Sequence, residues 1–125
     1  MANSLVLGGS WTLTNGTIRS VGTISDTINI SGANFIANTQ NITTASYSAL
    51  DTGSLSDIRA AYFANLDATA SITLATDSAG TNKIAVLWPS DTVLWSWSGS
   101  NQSLYAKGSN NNGTTVALNY LITES

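Results

Sequence analysis

Seven carboxyl side chains could act as acids or bases: Asp26, Asp51, Asp57, Asp67, Asp77, Asp91 and Glu124. Two carboxyls flanking a cleft would make a glycosidase, one donating a proton and the other acting as base or nucleophile. Most of these residues sit beside Gly, Ser, Thr or Asn, where Asp bonds its own backbone in a turn. Asp67 in Asn-Leu-Asp-Ala, Asp77 before Ser-Ala-Gly and Asp91 after Pro-Ser all fit that role. A calcium loop needs several oxygen ligands at short alternating spacing, and no such cluster occurs. Lys83 and Lys107 could each activate a serine, but with 18 serines such a pairing arises by chance. Gly8-Gly9-Ser10 and Asn111-Asn112-Gly113 lack the strand-loop-helix context of a phosphate cradle. With neither His nor Cys, there is no imidazole base, no thiolate and no zinc site of the usual kind. The expectation is a protein without catalysis, cofactor or metal.

The tryptophans say more. Val93, Trp95 and Trp97 alternate along one run, so a strand there points all three to one face and Leu94 and Ser96 to the other. Trp88 lies on the preceding strand, across Pro89-Ser90-Asp91, and is expected to join them. The plain reading is core, since Trp buries a large area and its N–H reaches a backbone carbonyl. The functional readings are an interface with another protein or a platform for sugar rings. Few charged or amide side chains flank the stripe to grip hydroxyls, which places the interface ahead of the glycan.

These residues must be carried by strands, because the dominant period is two. Asn15-Gly16 separates Trp11-Thr-Leu13 from Thr17-Ile-Arg-Ser-Val21, the signal of a hairpin closed by a type I′ turn. Ile24, Ile28 and Ile30 alternate with polar residues as a strand of one wet and one dry face. Ile42–Leu50 reads as one edge or lightly buried strand. Further strands are expected around Ile58–Ala64, Ala70–Ala75, Ile84–Trp88, Val93–Trp97, Leu104–Lys107 and Thr115–Thr123, with turn residues between them. Leu55–Leu66 also fits a short helix capped by Ser56 or Asp57. Strand is preferred there because Tyr62 and Phe63 lead straight into a turn. The result is a single all-β domain of about eight to ten strands, a sandwich or barrel. Three of the four Trp follow residue 57, so the later part is expected to supply most of the core.

Composition narrows the partners. Only 9% of residues are charged, and polarity comes from Ser, Thr and Asn, at 18, 17 and 13 residues. Four cations spread from Arg19 to Lys107 cannot neutralise a run of phosphates, which argues against nucleic acid. No apolar run reaches the about 18 residues that would cross a membrane as a helix, and Leu5–Leu7 is too short for a signal peptide. Asn-X-Ser/Thr triplets begin at Asn15, Asn29, Asn41, Asn101 and Asn112 and read as glycan acceptors only in a secreted chain. A neutral surface crowded with hydroxyls suits assembly better than free diffusion.

From residue 58 onward come Tyr62-Phe-Ala-Asn-Leu-Asp-Ala-Thr, Ile72-Thr-Leu, Ala85-Val-Leu-Trp-Pro-Ser-Asp, Ser103-Leu-Tyr-Ala-Lys and Leu118-Asn-Tyr-Leu-Ile-Thr-Glu. In these motifs the chain resembles small virion proteins of tailed bacteriophages. Trp88 stands where that group commonly has Lys, and Ser90-Asp91 replaces Gly-Glu, making this corner more apolar. Residues 1–57 resemble the group only loosely. The resemblance implies a jelly-roll-like antiparallel β-sandwich over residues 11–125, preceded by an extended arm over residues 1–10. It implies a non-enzymatic decoration or cement protein on the outer head of the virion, assembled in the host cytoplasm. Its partners would be the major capsid protein and further copies of itself, a trimer favoured. In that picture Leu5 and Leu7 of the arm, with Trp88, Trp95 and Trp97, are the interface residues. The arm, Ala2–Gly9, would add a strand to a neighbour's sheet edge, and deleting residues 1–9 is expected to abolish capsid binding while leaving the domain folded. The alternative is a tail-fibre, spike or adhesin module that recognises host glycan through its aromatic patch.

Overall fold

Period-two alternation produces strands throughout. A computed structural model describes residues 3–30, 34–96, 103–109 and 115–124. Among these there are ten strands and no helix. Contacts divide the chain into two units, residues 1–33 and 34–125.

The first unit is a hairpin of β1 (Asn3–Asn15) and β2 (Ile18–Ile30), paired without a break from Asn3↔Ile30 to Asn15↔Ile18. The hairpin signal at Asn15-Gly16 is real, but the two-residue loop is Gly16-Thr17, one residue further on. Gly16 has φ +58° and Thr17 is not among the positive-φ residues. Only the first central residue is left-handed, the requirement of a type II′ turn rather than the expected type I′. The unbroken register puts Leu5, Trp11 and Leu13 on one face, while the side chains of Leu7, Ile24, Ile28 and Ile30 lie outside those the structure describes. The opposite face carries Ser4, Ser10, Thr12, Thr14, Thr23, Ser25 and Thr27 together with Arg19 and the exposed Val6 and Val21. Trp11 lies across from Gly22, and a Cβ at Gly22 would collide with the indole ring. The absence of a side chain at Gly22 is what lets the ring lie over the partner strand. Of residues 1–10, expected as an arm, residues 3–10 form the first part of β1, which continues to Asn15.

The second unit is a β-sandwich. One sheet orders β3 (Phe35–Thr43), β10 (Thr115–Glu124), β5 (Ile58–Asn65) and β8 (Thr92–Ser96). The other orders β4 (Ser48–Ala49), β9 (Tyr105–Gly108), β6 (Ile72–Ala75) and β7 (Lys83–Leu87). All pairings are antiparallel. The chain changes sheet at every connection except β6 to β7, giving the strand order of an eight-stranded jelly roll.

Alternation fills the space between the sheets. β10 buries Val116, Leu118, Tyr120 and Ile122 from one sheet, while β6 buries Ile72 and Leu74 from the other. Phe63 sits opposite Tyr120 in register, with the ring centroids 6.5 Å apart and tilted at 45°. Among the described residues, every buried core side chain except Ile42 and Leu50 comes from residue 58 onward, as the sequence implies. The Leu55–Leu66 ambiguity resolves to strand β5. The run Ile42–Leu50, read as one strand, is instead divided. β3 ends at Thr43 in one sheet and β4 begins at Ser48 in the other. Ile42 is fully buried, because β3, although an edge strand, still turns one face to the core.

Candidate functional site

The clearest local construction in the sandwich is a corner where two turns are locked together. β5 ends at Asn65, a buried amide. Its Nδ2 donates to the carbonyls of Ala70 (2.7 Å), Trp88 (3.0 Å) and Leu87 (3.3 Å), and its Oδ1 accepts from the Asp67 N–H at 3.0 Å. One side chain thus ties the β5–β6 turn to the end of β7. Backbone bonds complete the tie. The Asn65 N–H donates to the Asp91 carbonyl at 2.9 Å, Leu66 to Ala117 at 3.0 Å and Ser90 to Asp67 at 3.0 Å.

The carboxylates of this corner hold turns. Asp67 Oδ1 accepts the N–H groups of Ala70 and Thr69, each at 2.7 Å, and the Thr69 hydroxyl at 3.0 Å. The Ala70 N–H, then the two Thr69 donors, keep this carboxyl below the ordinary 3.8. Asp91 Oδ2 accepts the Trp88 N–H at 3.1 Å. At the β6–β7 turn Asp77 accepts Asn82 N–H at 2.8 Å and Thr81 N–H at 3.1 Å, and the Asn82 bond chiefly lowers its pKa from 3.8. A general acid needs its pKa raised towards the working pH, and Asp67 and Asp77 are shifted the other way. No three His, Cys, Asp or Glu lie together as a metal cluster among the described residues.

What the corner presents is apolar. Trp88 is 65% exposed and Leu66 58% exposed, at the ends of the two turns that Asn65 joins. Val86, on β7 and facing as Trp88 does by alternation, is also exposed. Ser90 takes φ +64°, a left-handed conformation that disfavours a residue with a Cβ. Its N–H bond to Asp67 and the neighbouring Asp91 N–H bond to the Trp88 carbonyl at 3.0 Å hold it there. An indole projects into solvent from a backbone with little freedom to withdraw it.

The other expected interface residues are distributed elsewhere. Trp95 is on β8, an edge strand of the sheet opposite to that of β7, and is 36% exposed. Its pairing with inward-facing Ala61 places it on the core side, with Val93 opposite Phe63 on the same side and Leu94 opposite Tyr62 on the outside. The expected Val93–Trp95 alternation is present. Trp88 lies beyond the end of β7 in the turn, so it stands on another sheet. Leu5 is half-buried in the hairpin, and Leu7 pairs there with Asp26 in register. Trp97 lies outside the described residues.

Two further polar assemblies escaped sequence reasoning. Tyr120, buried between the sheets, donates through its hydroxyl to the Asp51 carbonyl at 2.9 Å and contacts Gln40 Oε1 at 3.1 Å. It also accepts from Asn38 Nδ2 at 3.3 Å. Burial is the main cause that raises its pKa above 10.0. Glu124 accepts the Ser56 hydroxyl at 2.7 Å, the Ser56 N–H at 3.2 Å and Asn34 Nδ2 at 2.8 Å. Those bonds, Ser56 first, hold it below its ordinary 4.5. Both assemblies stitch β10 to segments far away in sequence. No buried side-chain nitrogen or oxygen among the described residues lacks a partner.

Comparison with models of known protein families, with curated proteins and with solved structures yields no match.

Proposed function

We propose that this chain is a non-enzymatic structural protein of a phage virion, a decoration or cement protein that binds the outer head lattice and stabilises it. The observation that carries the reading is the rigid apolar corner of Trp88 and Leu66 on a jelly-roll sandwich. Jelly rolls serve repeatedly as capsid domains, a fold-level analogy that gains weight only from a surface fit for docking. Trp is the residue most often found at the energetic centre of an interface. Here it is pre-positioned, so little conformational freedom is lost on binding.

The mechanism is mass action. A protein that binds the expanded shell and not its precursor shifts the balance towards the expanded shell by its binding free energy. Contacts repeated across many sites on a lattice let modest individual affinities add up.

A tail-fibre or adhesin module that stacks host sugars on Trp88 is the second reading, favoured by the same exposed indole. The deciding experiment is cryo-electron microscopy of particles that carry this protein, counting its copies against the shell protein. Hundreds of copies at capsomer junctions support cement, and Trp88→Ala should then release the protein from particles while its melting temperature stays put. A few copies at one vertex, together with a change in Trp emission on adding host glycan, would move the protein to the tail. The arm-deletion test needs replacement, because residues 3–9 pair with residues 24–30 and their removal strips β2 of its partner.

A further inference from the structure

An asparagine followed by glycine is the pair through which a chain can modify itself. The N–H nitrogen of the second residue attacks the amide carbon of the first, and a Cβ on that second residue would stand in the way. Among the 13 asparagines, only Asn15 and Asn112 precede a glycine. Asn112 and Gly113 lie outside the described residues, whereas Asn15 and Gly16 are described and both are exposed.

The hairpin tip leaves the reacting groups unoccupied. Among the described residues no hydrogen bond holds the Asn15 amide. Asn65, by contrast, commits its amide to the Ala70, Leu87 and Trp88 carbonyls and the Asp67 N–H. Gly16 lies in the loop beyond the closing Asn15↔Ile18 pair, so the β1–β2 ladder makes no use of its N–H. Apart from its chain neighbours, no atom stands within 4 Å of the place a Gly16 Cβ would take. Its φ of +58° is one that glycine adopts without strain. The remaining obstacle is the extended backbone of Asn15, which must rotate before nitrogen and carbon meet. Asn15↔Ile18 is the last pair of a two-stranded sheet, and the end of such a sheet opens most readily.

We propose that Asn15-Gly16 is a self-modifying site at which the chain converts its own asparagine to aspartate and isoaspartate. Water or hydroxide takes the Gly16 N–H proton, and the nitrogen bonds to Asn15 Cγ. The side-chain nitrogen leaves as ammonia with a proton returned from water, closing a succinimide ring. A second water then opens the ring. Breaking the N–Cγ bond gives aspartate, and breaking the bond to the backbone carbonyl carbon gives isoaspartate. Either product adds a negative charge to a hairpin whose charged side chains are Arg19 and Asp26. Isoaspartate also lengthens the main chain by one atom, which removes residue 15 from its pairing with Ile18. The inference goes beyond the lattice reading, because the reaction needs neither particle nor partner.

The test is to age the purified full-length chain at mildly alkaline pH and quench it with acid. Trypsin then cuts at Arg19, Arg59, Lys83 and Lys107, which separates Asn15 from Asn112. The peptide ending at Arg19 should gain about 1 Da at residue 15, and isoaspartate methyltransferase should label it. Asn15 should convert at least tenfold faster than Asn34 and Asn41, both exposed but followed by Phe35 and Ile42. Gly16→Ala should slow the conversion at least tenfold, with a sandwich melt to check folding. In the wild type, the native rate should lie within tenfold of the rate in urea. Greater suppression in the native chain would overturn the proposal, because the ladder would then protect the pair. So would Asn15 converting no faster than Asn34 and Asn41, or Gly16→Ala reacting as fast as the wild type.

Discussion

The hairpin and the sandwich are built from similar alternating strands yet treat their apolar residues in opposite ways. In the sandwich, Ile42, Phe63, Ile72 and Leu118 reach zero exposure because a second sheet lies across the first. In the hairpin, Trp11 and Leu13 stay in the open. Alternation decides which side of a strand is apolar, but only a second layer decides whether that side is dry. A hydrophobic residue thus stabilises the sandwich by its burial and contributes little to the hairpin.

Truncating one apolar side chain in each unit tests this most strongly. Phe63→Ala should cost about 3–5 kcal/mol in urea unfolding, the usual cost of emptying an aromatic from a core. Leu13→Ala should stay within about 0.5 kcal/mol, as for an exposed site. Equal losses would break the comparison. Asn65→Ala should cost about 2–4 kcal/mol, since it leaves the Ala70, Leu87 and Trp88 carbonyls without their donor. Tyr120→Phe should cost about 1–2 kcal/mol by removing one hydroxyl from a satisfied buried network.

The sandwich should also gain from one change. Ser90→Gly relieves a left-handed φ and should raise stability by up to about 1 kcal/mol. Gly is the residue that the resembled turn carries at this position. The smallest effect is acid sensitivity. Asp67, Asp77 and Glu124 have folded pKa values below their ordinary 3.8, 3.8 and 4.5. Their stabilisation is therefore complete above those values and lost as pH falls through the lower folded ones. All three are half-buried at the surface and reached by solvent, so screening keeps the effect slight. Thermal melts from pH 6 to 2 should show Glu124→Gln with a flatter decline than wild type.

Local order was legible in the residues and long-range order was not. Alternation locates β5, β6, β7 and β10, and turn chemistry correctly assigns Asp67, Asp77 and Asp91 to the backbone. The Gly16 turn is displaced by one residue, because Asn-Gly and Gly-Thr both satisfy a two-residue loop and register alone chooses between them. The split between β3 and β4 is invisible locally, since the polar run 43–48 has the composition of an edge strand. The roles of Asn65, Tyr120 and Glu124 depend on partners brought together only by folding, Glu124 with Ser56 at a separation of 68 residues. Trp88 looked like a member of a stripe because alternation was carried across Pro89. The turn instead leaves the two tryptophans on different sheets.

β10 lies between β3 and β5, so one of the two inner strands of its sheet is the last of the four to be made. During synthesis the hairpin is complete once residue 30 has emerged, whereas the sandwich must wait for residues 115–124. At ordinary translation speed that gap is on the order of ten seconds, far longer than the microseconds a hairpin needs to form. For that interval the half-made sandwich leaves β3 and β5 without the strand that joins them.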